Sequence, residues 1–323
     1  MIELFAEKKD CCGCGACMNI CPKTAIHMEK DEYGFVYPRI DTEKCVECGA
    51  CKKVCAFQNE AARRQPQRVY AIASKNNDLI KKSASGGLFA TMAMYVLEQG
   101  GCVYGAVMQH EEHGLYTRHV CCKTKEELYR LQGSKYVQSS LGNIFKDVKT
   151  KLENDILVLF SGTPCQVDAL KSYLRKEYDN LVTVDLVCHG TPSPKLWKKY
   201  LDEQKDKYHS EIDDIVFRNK TYGYHSGTMR IRFKNQFVYY GSARVDPMLK
   251  SFFAEISSRP SCYQCHFKSV ERCSDFTIYD CWHANNLVEG LVDDDKGFTN
   301  LIVQSSKGER ILDRIADRYE LYA

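Results

Sequence analysis

Eight cysteines in the first 55 residues fall into two copies of one pattern, and nothing else in the chain constrains its folding so tightly. Cys11, Cys14, Cys17 and Cys21, the last followed by Pro22, read CxxCxxCxxxC; Cys45, Cys48, Cys51 and Cys55 repeat the pattern 34 residues later. This spacing wraps three thiolates around one four-iron cluster and sends the fourth cysteine across to a second cluster. Two 4Fe-4S clusters are expected, one on Cys11, Cys14, Cys17 and Cys55, the other on Cys45, Cys48, Cys51 and Cys21. Electron transfer is the activity they imply. Disulfides and structural zinc fit poorly, because zinc sites are commonly built from pairs of ligands, whereas each run here carries a third cysteine in register.

The segment from about residue 5 to residue 57 resembles a bacterial two-cluster ferredoxin. Ala25, Ile26, Val36 and Ile40, between the runs, are expected to form short strands that shield the clusters. Gly13 lies inside a binding loop, where the backbone comes close to inorganic sulfide. Cys12 has no place in the pattern and reads as a bystander thiol.

At 323 residues the chain is too long for a ferredoxin alone and suits a small module followed by a larger domain. We expect a 4Fe-4S module over residues 1–60, a linker over 61–68 (AARRQPQR, polar and without apolar period) and a second domain over 69–323. The first 60 residues hold eight Lys/Arg against ten Asp/Glu, and the net charge of the whole chain is only +3. Such a balance gives no warrant for nucleic-acid binding or attachment to a membrane surface. Eighteen cysteines would suggest a disulfide scaffold in a short secreted chain, but MIELFAEKKDCC lacks the basic and apolar regions of a leader. No apolar run approaches the ~18 residues of a membrane span. A reduced, cytoplasmic, oxygen-sensitive protein is expected.

Beyond the linker, β-like runs at 68–73, 102–108, 156–160, 181–187, 229–233, 237–240, 276–279 and 301–304 alternate with helical segments. The fold class expected is α+β: a two-cluster ferredoxin module followed by a mixed α/β domain with parallel units and a hairpin near 229–240. Residues 156–188 read as a strand, a turn, a helix and a second strand. Thr163 is the expected N-cap, Pro164 the first helical residue, and Gln166 the partner in a capping box. A right-handed crossover makes the two strands parallel, so Cys165 and Cys188 lie just beyond neighbouring carboxyl ends, where open α/β sheets bind ligands. A CxxC, Cys262 and Cys265, follows a helix expected to start at Pro247 behind an Asp246 cap. These four cysteines read as a third 4Fe-4S site, with zinc on the same set and a redox disulfide between Cys262 and Cys265 as alternatives. Cys165, in the first turn of a helix, is also a candidate low-pKa nucleophile, with His189 or His266 as base. Cys102, Cys121, Cys122, Cys273 and Cys281 read as small buried hydrophobes, Cys273 and Cys281 doubling as reserve ligands.

Ser83 to Gly87 reads SASGG and opens an apolar helix. Ser83, Ser85, Gly86 and Gly87 suit the approach of a phosphate to free backbone N–H groups, with a Ser85 cap and no ligand as the alternative. Gly133, Ser134, Lys135 and Tyr136 follow in LQGSKYVQSS, where the lysine faces either a flavin phosphate, the N1/O2 edge of the ring, or solvent.

Taken together, the double cysteine run, SASGGLFATMAMYVLE, LQGSKYVQSS, SGTPCQVDAL, DLVCHGTPSP, RPSCYQCHFK and SDFTIYDCW resemble the β subunits of coenzyme F420-reducing hydrogenases and dehydrogenases. That family also includes ferredoxin-dependent chlorophyll reductases. The resemblance implies FAD held near the SASGG and GSKY segments, a third cluster on Cys165, Cys188, Cys262 and Cys265, and electron exchange between clusters and flavin. Two departures stand out: Cys281 where relatives often carry an aromatic, and an end at Ala323, in or after a helix over 307–319, where relatives often continue and a truncation is suggested.

The leading expectation is an FAD-dependent iron-sulfur oxidoreductase taking electrons from ferredoxin or another redox protein and exchanging hydride with a small substrate such as coenzyme F420, or running in reverse. His189, Tyr224 and His225 are candidates for substrate contact or protonation, with Tyr222 beside them and a DDDKG loop at 293–297 that reads as ligand-facing or as a solvated charge run. The rivals are an electron-transfer subunit of a larger complex with no substrate of its own, and a zinc-stabilised scaffold without flavin.

Overall fold

The computed structural model describes residues 3–59, 61–111 and 114–322. Each N-terminal cysteine run enters a one-turn helix, α1 (Ala16–Ile20) and α2 (Ala50–Lys53), and between them lies an antiparallel ribbon of β1 (Ile26–Lys30) and β2 (Val36–Ile40). Ile26 pairs with Ile40 in that ribbon. The unit is packed firmly on the larger part of the chain. Ala16, Val54 and Ala56 share one apolar cluster with Phe145, Phe160, Val167 and Leu170. Asn19, 2% exposed, donates to Gly15 O at 2.9 Å and to Gly142 O at 2.8 Å.

Residues 61–67 are bound along their length. The Ala61 N–H donates to Asp168 Oδ1 at 3.2 Å, Arg63 donates to His266 O at 2.8 Å, and Arg64 and Arg272 exchange backbone hydrogen bonds of 2.9 and 3.3 Å.

The larger part contains β3 (Arg68–Ser74), α3 (Asn77–Lys82), α4 (Leu88–Glu98), β4 (Cys102–Glu111), β5 (Gly114–Cys122), β6 (Ser139–Ser140), α5 (Ile144–Glu153), β7 (Val158–Gly162), α6 (Pro164–Leu174) and β8 (Leu181–Leu186). After these come α7 (Pro194–Tyr208), β9 (Ile212–Asn219), β10 (Thr228–Phe233), β11 (Val238–Ser242), α8 (Pro247–Phe253), α9 (Pro260–Tyr263), β12 (Phe276–Asp280), α10 (Ala284–Leu287), β13 (Thr299–Val303), α11 (Ser306–Arg314) and β14 (Tyr319–Tyr322). Among the described residues, nine strands make one sheet in the order β14-β3-β13-β12-β8-β7-β4-β5-β6, and β11-β10-β9 make a second, antiparallel one. The centre of the large sheet, β12-β8-β7-β4, is parallel, so it aligns its carboxyl ends on one edge.

Local chemistry sets the elements that frame this edge. Thr163 precedes Pro164 at the start of α6, and its N–H donates to Gln166 Oε1 at 3.0 Å, closing the capping box. Asp246 Oδ1 accepts from Leu249 N at 2.9 Å and starts α8.

Three sequence expectations are corrected. The C-terminal helix ends at Arg314, and Tyr319–Tyr322 form an edge strand on β3 in place of a helix running to Tyr319. Strands β5 and β9 have no counterpart among the β-like runs of the sequence. Gly87, not Ser85, is the N-cap of α4; Ser85 Oγ instead shares a 2.8 Å hydrogen bond with Thr299 Oγ1.

Candidate redox centre

Two hollows lie in the N-terminal unit. One, about 450 Å³ and partly open, is lined by Cys11, Cys14, Cys17 and Cys55 together with Phe5, Pro38 and Phe57. The other, about 340 Å³, is lined by Cys21, Cys45, Cys48 and Cys51 with Ile26 and Ile40. Each hollow thus gathers three cysteines of one run and the last of the other, with Cys51 bordering both. Cys48 is exposed. Burial pushes the Cys11, Cys17 and Cys51 thiols up, Cys17 to about 12.

No three Cys, His, Asp or Glu side chains among the described residues converge as the ligands of one metal ion do. A tetrahedral zinc, with Zn–S ~2.3 Å, draws its sulfurs within ~4 Å of each other. Four cysteines edging each hollow are the donor set of a four-iron cluster, and these residues fit iron-sulfur clusters.

A third set of cysteines gathers at the carboxyl edge of the large sheet. Cys165 begins α6 just past β7, Cys188 follows β8, and Cys262 and Cys265 come from α9 and the turn after it. Each of Cys188, Cys262 and Cys265 lies within electrostatic reach of Cys165, and burial raises all three. Thr163 Oγ1 lies 3.1 Å from Cys165 Sγ. Cys12 is not a bystander: its thiol contacts both Cys14 and Cys165, joining the first hollow to this third set. The Cys165 thiol is pushed well up, first by that contact and then by burial, which removes the low-pKa nucleophile suggested by the helix start. Its expected bases are engaged elsewhere. His189 Nε2 lies 3.3 Å from Phe253 O, and His266 packs against Phe57. Of the remaining cysteines, Cys102, Cys122, Cys273 and Cys281 are buried, and Cys121 is half-buried with its thiol lowered to about 7, chiefly by Cys102.

The other candidate residues meet further along this edge. Gln132 Nε2 donates to Ser83 Oγ at 3.0 Å, so the SASGG loop and the turn at Gly133 lie side by side. Lys135 Nζ turns back to donate to Arg130 O (3.0 Å) and Gln132 O (2.7 Å), and burial lowers it to about 7. Tyr136 stacks on Phe252 at 4.5 Å; Phe252 also packs on His189, and Tyr136 hydrogen-bonds toward Ser134 and Arg218. The 220–225 and 293–297 loops are one structure: Tyr224 N donates to Asp295 O at 2.9 Å, and His225 Nε2 pairs with Asp293 at 2.7 Å. Tyr224, buried, donates from Oη to Asp280 Oδ1 at 3.2 Å and stacks on Trp282.

Sequence reasoning missed the residues that tie these parts together. Lys220 Nζ donates to Ile80 O, Ser85 O and Lys296 O at 2.9, 2.7 and 2.6 Å, and burial beside Arg218 lowers it to about 8. Arg218 pairs with Asp280, lies 4.4 Å over the Trp282 ring, and leaves Nη2 buried without a hydrogen-bond partner. An unsatisfied buried guanidinium N–H on a residue packed against Tyr224 and Trp282 suits an anionic or carbonyl-bearing aromatic group. A flavin fits that description.

Residues 156–323 match the C-terminal part of the coenzyme F420 hydrogenase/dehydrogenase beta subunit, residues 69–146 match its N-terminal part, and residues 10–59 match a 4Fe-4S dicluster domain. The chain therefore belongs to the coenzyme F420 hydrogenase/dehydrogenase beta subunit family, an oxidoreductase family, and carries a ferredoxin-type iron-sulfur domain at its N-terminus. It is 24% identical to an uncharacterized protein of Methanocaldococcus jannaschii over 94% of its own length and 86% of the relative's. An uncharacterized ferredoxin of the same organism is 39% identical over 14% of the chain and 56% of that ferredoxin. A chain of the F420-reducing NiFe hydrogenase complex from Methanosarcina barkeri shares the fold, with TM-score 0.53 and 17% identity over 80% of this chain and 82% of that one. Among the described residues no helix is long and apolar enough to cross a membrane.

Proposed function

We propose that the chain is an iron-sulfur flavoprotein oxidoreductase that relays electrons between a ferredoxin or another redox protein and a small substrate of the coenzyme F420 type, within the cytoplasm and as part of a larger redox complex. Residues 1–60 hold two 4Fe-4S clusters, on Cys11, Cys14, Cys17 and Cys55 and on Cys21, Cys45, Cys48 and Cys51. Residues 69–323 hold a third, on Cys165, Cys188, Cys262 and Cys265, and FAD beside it. One observation carries this reading: the Cys12 thiol contacts Cys14 at the first hollow and Cys165 of the third set, and His189, next to Cys188 in the chain, leads through Phe252 and Tyr136 to Arg218.

The clusters supply one-electron steps, and FAD supplies the exchange between one- and two-electron chemistry. The protein's own groups do the rest. Arg218 and Lys220 offer positive charge to the flavin, Ser83, Ser85, Gly86 and Gly87 with Gly133, Ser134, Lys135 and Tyr136 border it, and the buried Phe252 ring keeps water from the path between His189 and Tyr136. Exposed His225 and buried Tyr224, each hydrogen-bonded to a carboxylate, serve as substrate contacts and proton carriers.

Anaerobic purification with iron, sulfide, zinc and flavin quantified on one sample tests the reading. About twelve iron and one FAD per chain support it. About eight iron with zinc and no flavin after reconstitution overturn it in favour of the metal-stabilised scaffold.

A further inference from the structure

Arg259 is 1% exposed and sits at the joint between the first hollow and the third cysteine set. Its Nε donates to Cys11 O at 2.8 Å, Nη2 to Val36 O at 2.9 Å, and Nη1 to Gln138 Oε1 at 3.3 Å; Gln138 in turn donates to Cys12 O at 3.2 Å. The guanidinium lies 4.2 Å over the Tyr37 ring. On its own backbone, Arg259 O accepts from Cys262 N at 2.8 Å, so one residue grips both sites. A Cβ on Gly13, whose φ is +70°, would lie 3.0 Å from Nη1 and 2.8 Å from Val36 O, so the loop is shaped to seat this group.

Every acceptor just named is neutral, and among the described residues no carboxylate pairs with Arg259. A buried guanidinium without a counter-ion is strongly disfavoured. The groups its charge reaches include the Cys11, Cys165 and Cys262 sulfurs, which are anionic when they ligate a cluster.

We propose that Arg259 is the electrostatic bridge between the cluster sites at Cys11 and Cys165, its charge raising the reduction potential of both. This inference rests on the cluster assignment given above. A cluster with its four thiolates is a net anion that gains a further negative charge on reduction, so a fixed cation in a dry joint favours the reduced form. The outer site at Cys21, Cys45, Cys48 and Cys51, to which Arg259 makes no hydrogen bond among the described residues, is left unshifted.

The test is an anaerobic, EPR-monitored redox titration of the full chain and its Arg259→Gln variant, with iron counted on each. Two couples are expected to shift so that the reduced fraction at fixed poise falls at least tenfold, ~59 mV for a one-electron couple, while the third moves less than twofold. Native iron content with all couples within twofold overturns the proposal. If Arg259→Gln loses iron, Arg259→Lys decides: restored iron with native couples supports a charge role, and equal loss of iron shows a shape-dependent clasp and overturns it. Should the native chain hold about eight iron and two couples, the three-cluster reading fails by itself. The Cys11 couple alone then judges Arg259 by the same criterion.

Discussion

Arg218 and Asp280 close a 2.6 Å ion pair across the joint between the two sheets, Arg218 projecting from β9 and Asp280 ending β12. The arginine side chain is almost wholly buried, with the carboxylate about a quarter exposed. Removing one member of a buried pair leaves an uncompensated charge, at about 3–5 kcal/mol in full burial and less where water reaches one partner. Asp280→Asn is expected to destabilise the chain by about 2–3 kcal/mol. The double variant Arg218→Met, Asp280→Leu is expected to lose less than the single one, because no charge is stranded. Urea midpoints of the three proteins check this, and an Asp280→Asn midpoint equal to the native one speaks against it.

His119 carries the clearest pH dependence. It is 2% exposed, with Nε2 3.0 Å from Ser161 O and Nδ1 2.9 Å from Ser139 Oγ. Burial lowers its pKa to about 4, with Lys135 adding to the effect and the Ser161 carbonyl opposing it. The unfolded chain then binds the proton more readily. The stability that neutral His119 confers is complete above ~6.5 and is lost as pH falls toward 4, at a cost of about 2 kcal/mol by pH 5 and about 3 kcal/mol at the limit. The native protein should lose that much more stability than His119→Gln between pH 7.5 and 5. Parallel pH profiles of the two urea midpoints would contradict the assignment.

His119 also shows what the sequence did and did not make legible. Its strand, β5, buries Leu115, Thr117 and His119 on one face, and only one of these is apolar, so no period-two signal stood out. The βαβ unit at 158–186 was legible because its signals are local: Thr163, Pro164 and Gln166 cap one helix within four residues. The twelve candidate ligands were likewise written in short spacings or at strand ends. Arg218, Lys220, Asp280 and Arg259 gave no such signal. Arg218 and Asp280 meet across 62 residues, and Arg259 reaches a carbonyl 248 residues away. Charged residues of this kind look like surface until the topology buries them. The C-terminal strand was hidden for a similar reason, since Tyr319–Tyr322 gain strand character only by pairing with β3.

Gly86 separates packing from ligand binding in the SASGG loop. A Cβ there would lie 2.5 Å from Ile72 O and 2.9 Å from Thr299 N, both backbone atoms of paired strands that cannot yield. Gly86→Ala is expected to cost about 3 kcal/mol or more. The loss should be the same with and without added FAD, as thermal unfolding of both preparations would show. A loss confined to the FAD-loaded protein would mean that the glycine serves the ligand and not the sheet.

The third cysteine set admits a direct count. Cys262 and Cys265 reach the site from α9 and the turn after it, whereas Cys165 and Cys188 reach it from the sheet edge, so replacing the first two removes half the ligands without touching a strand. Cys262→Ser with Cys265→Ser is expected to fold, to keep the two N-terminal clusters and to lose about one-third of the iron of the native chain. Flavin content is a second readout on the same sample, since His189, Phe252 and Tyr136 join this set to the Arg218 site through side chains the substitutions leave in place. Unchanged iron would show that the four cysteines hold no cluster. Loss of all iron would show instead that the N-terminal sites depend on this one through the Cys12 and Cys165 contact.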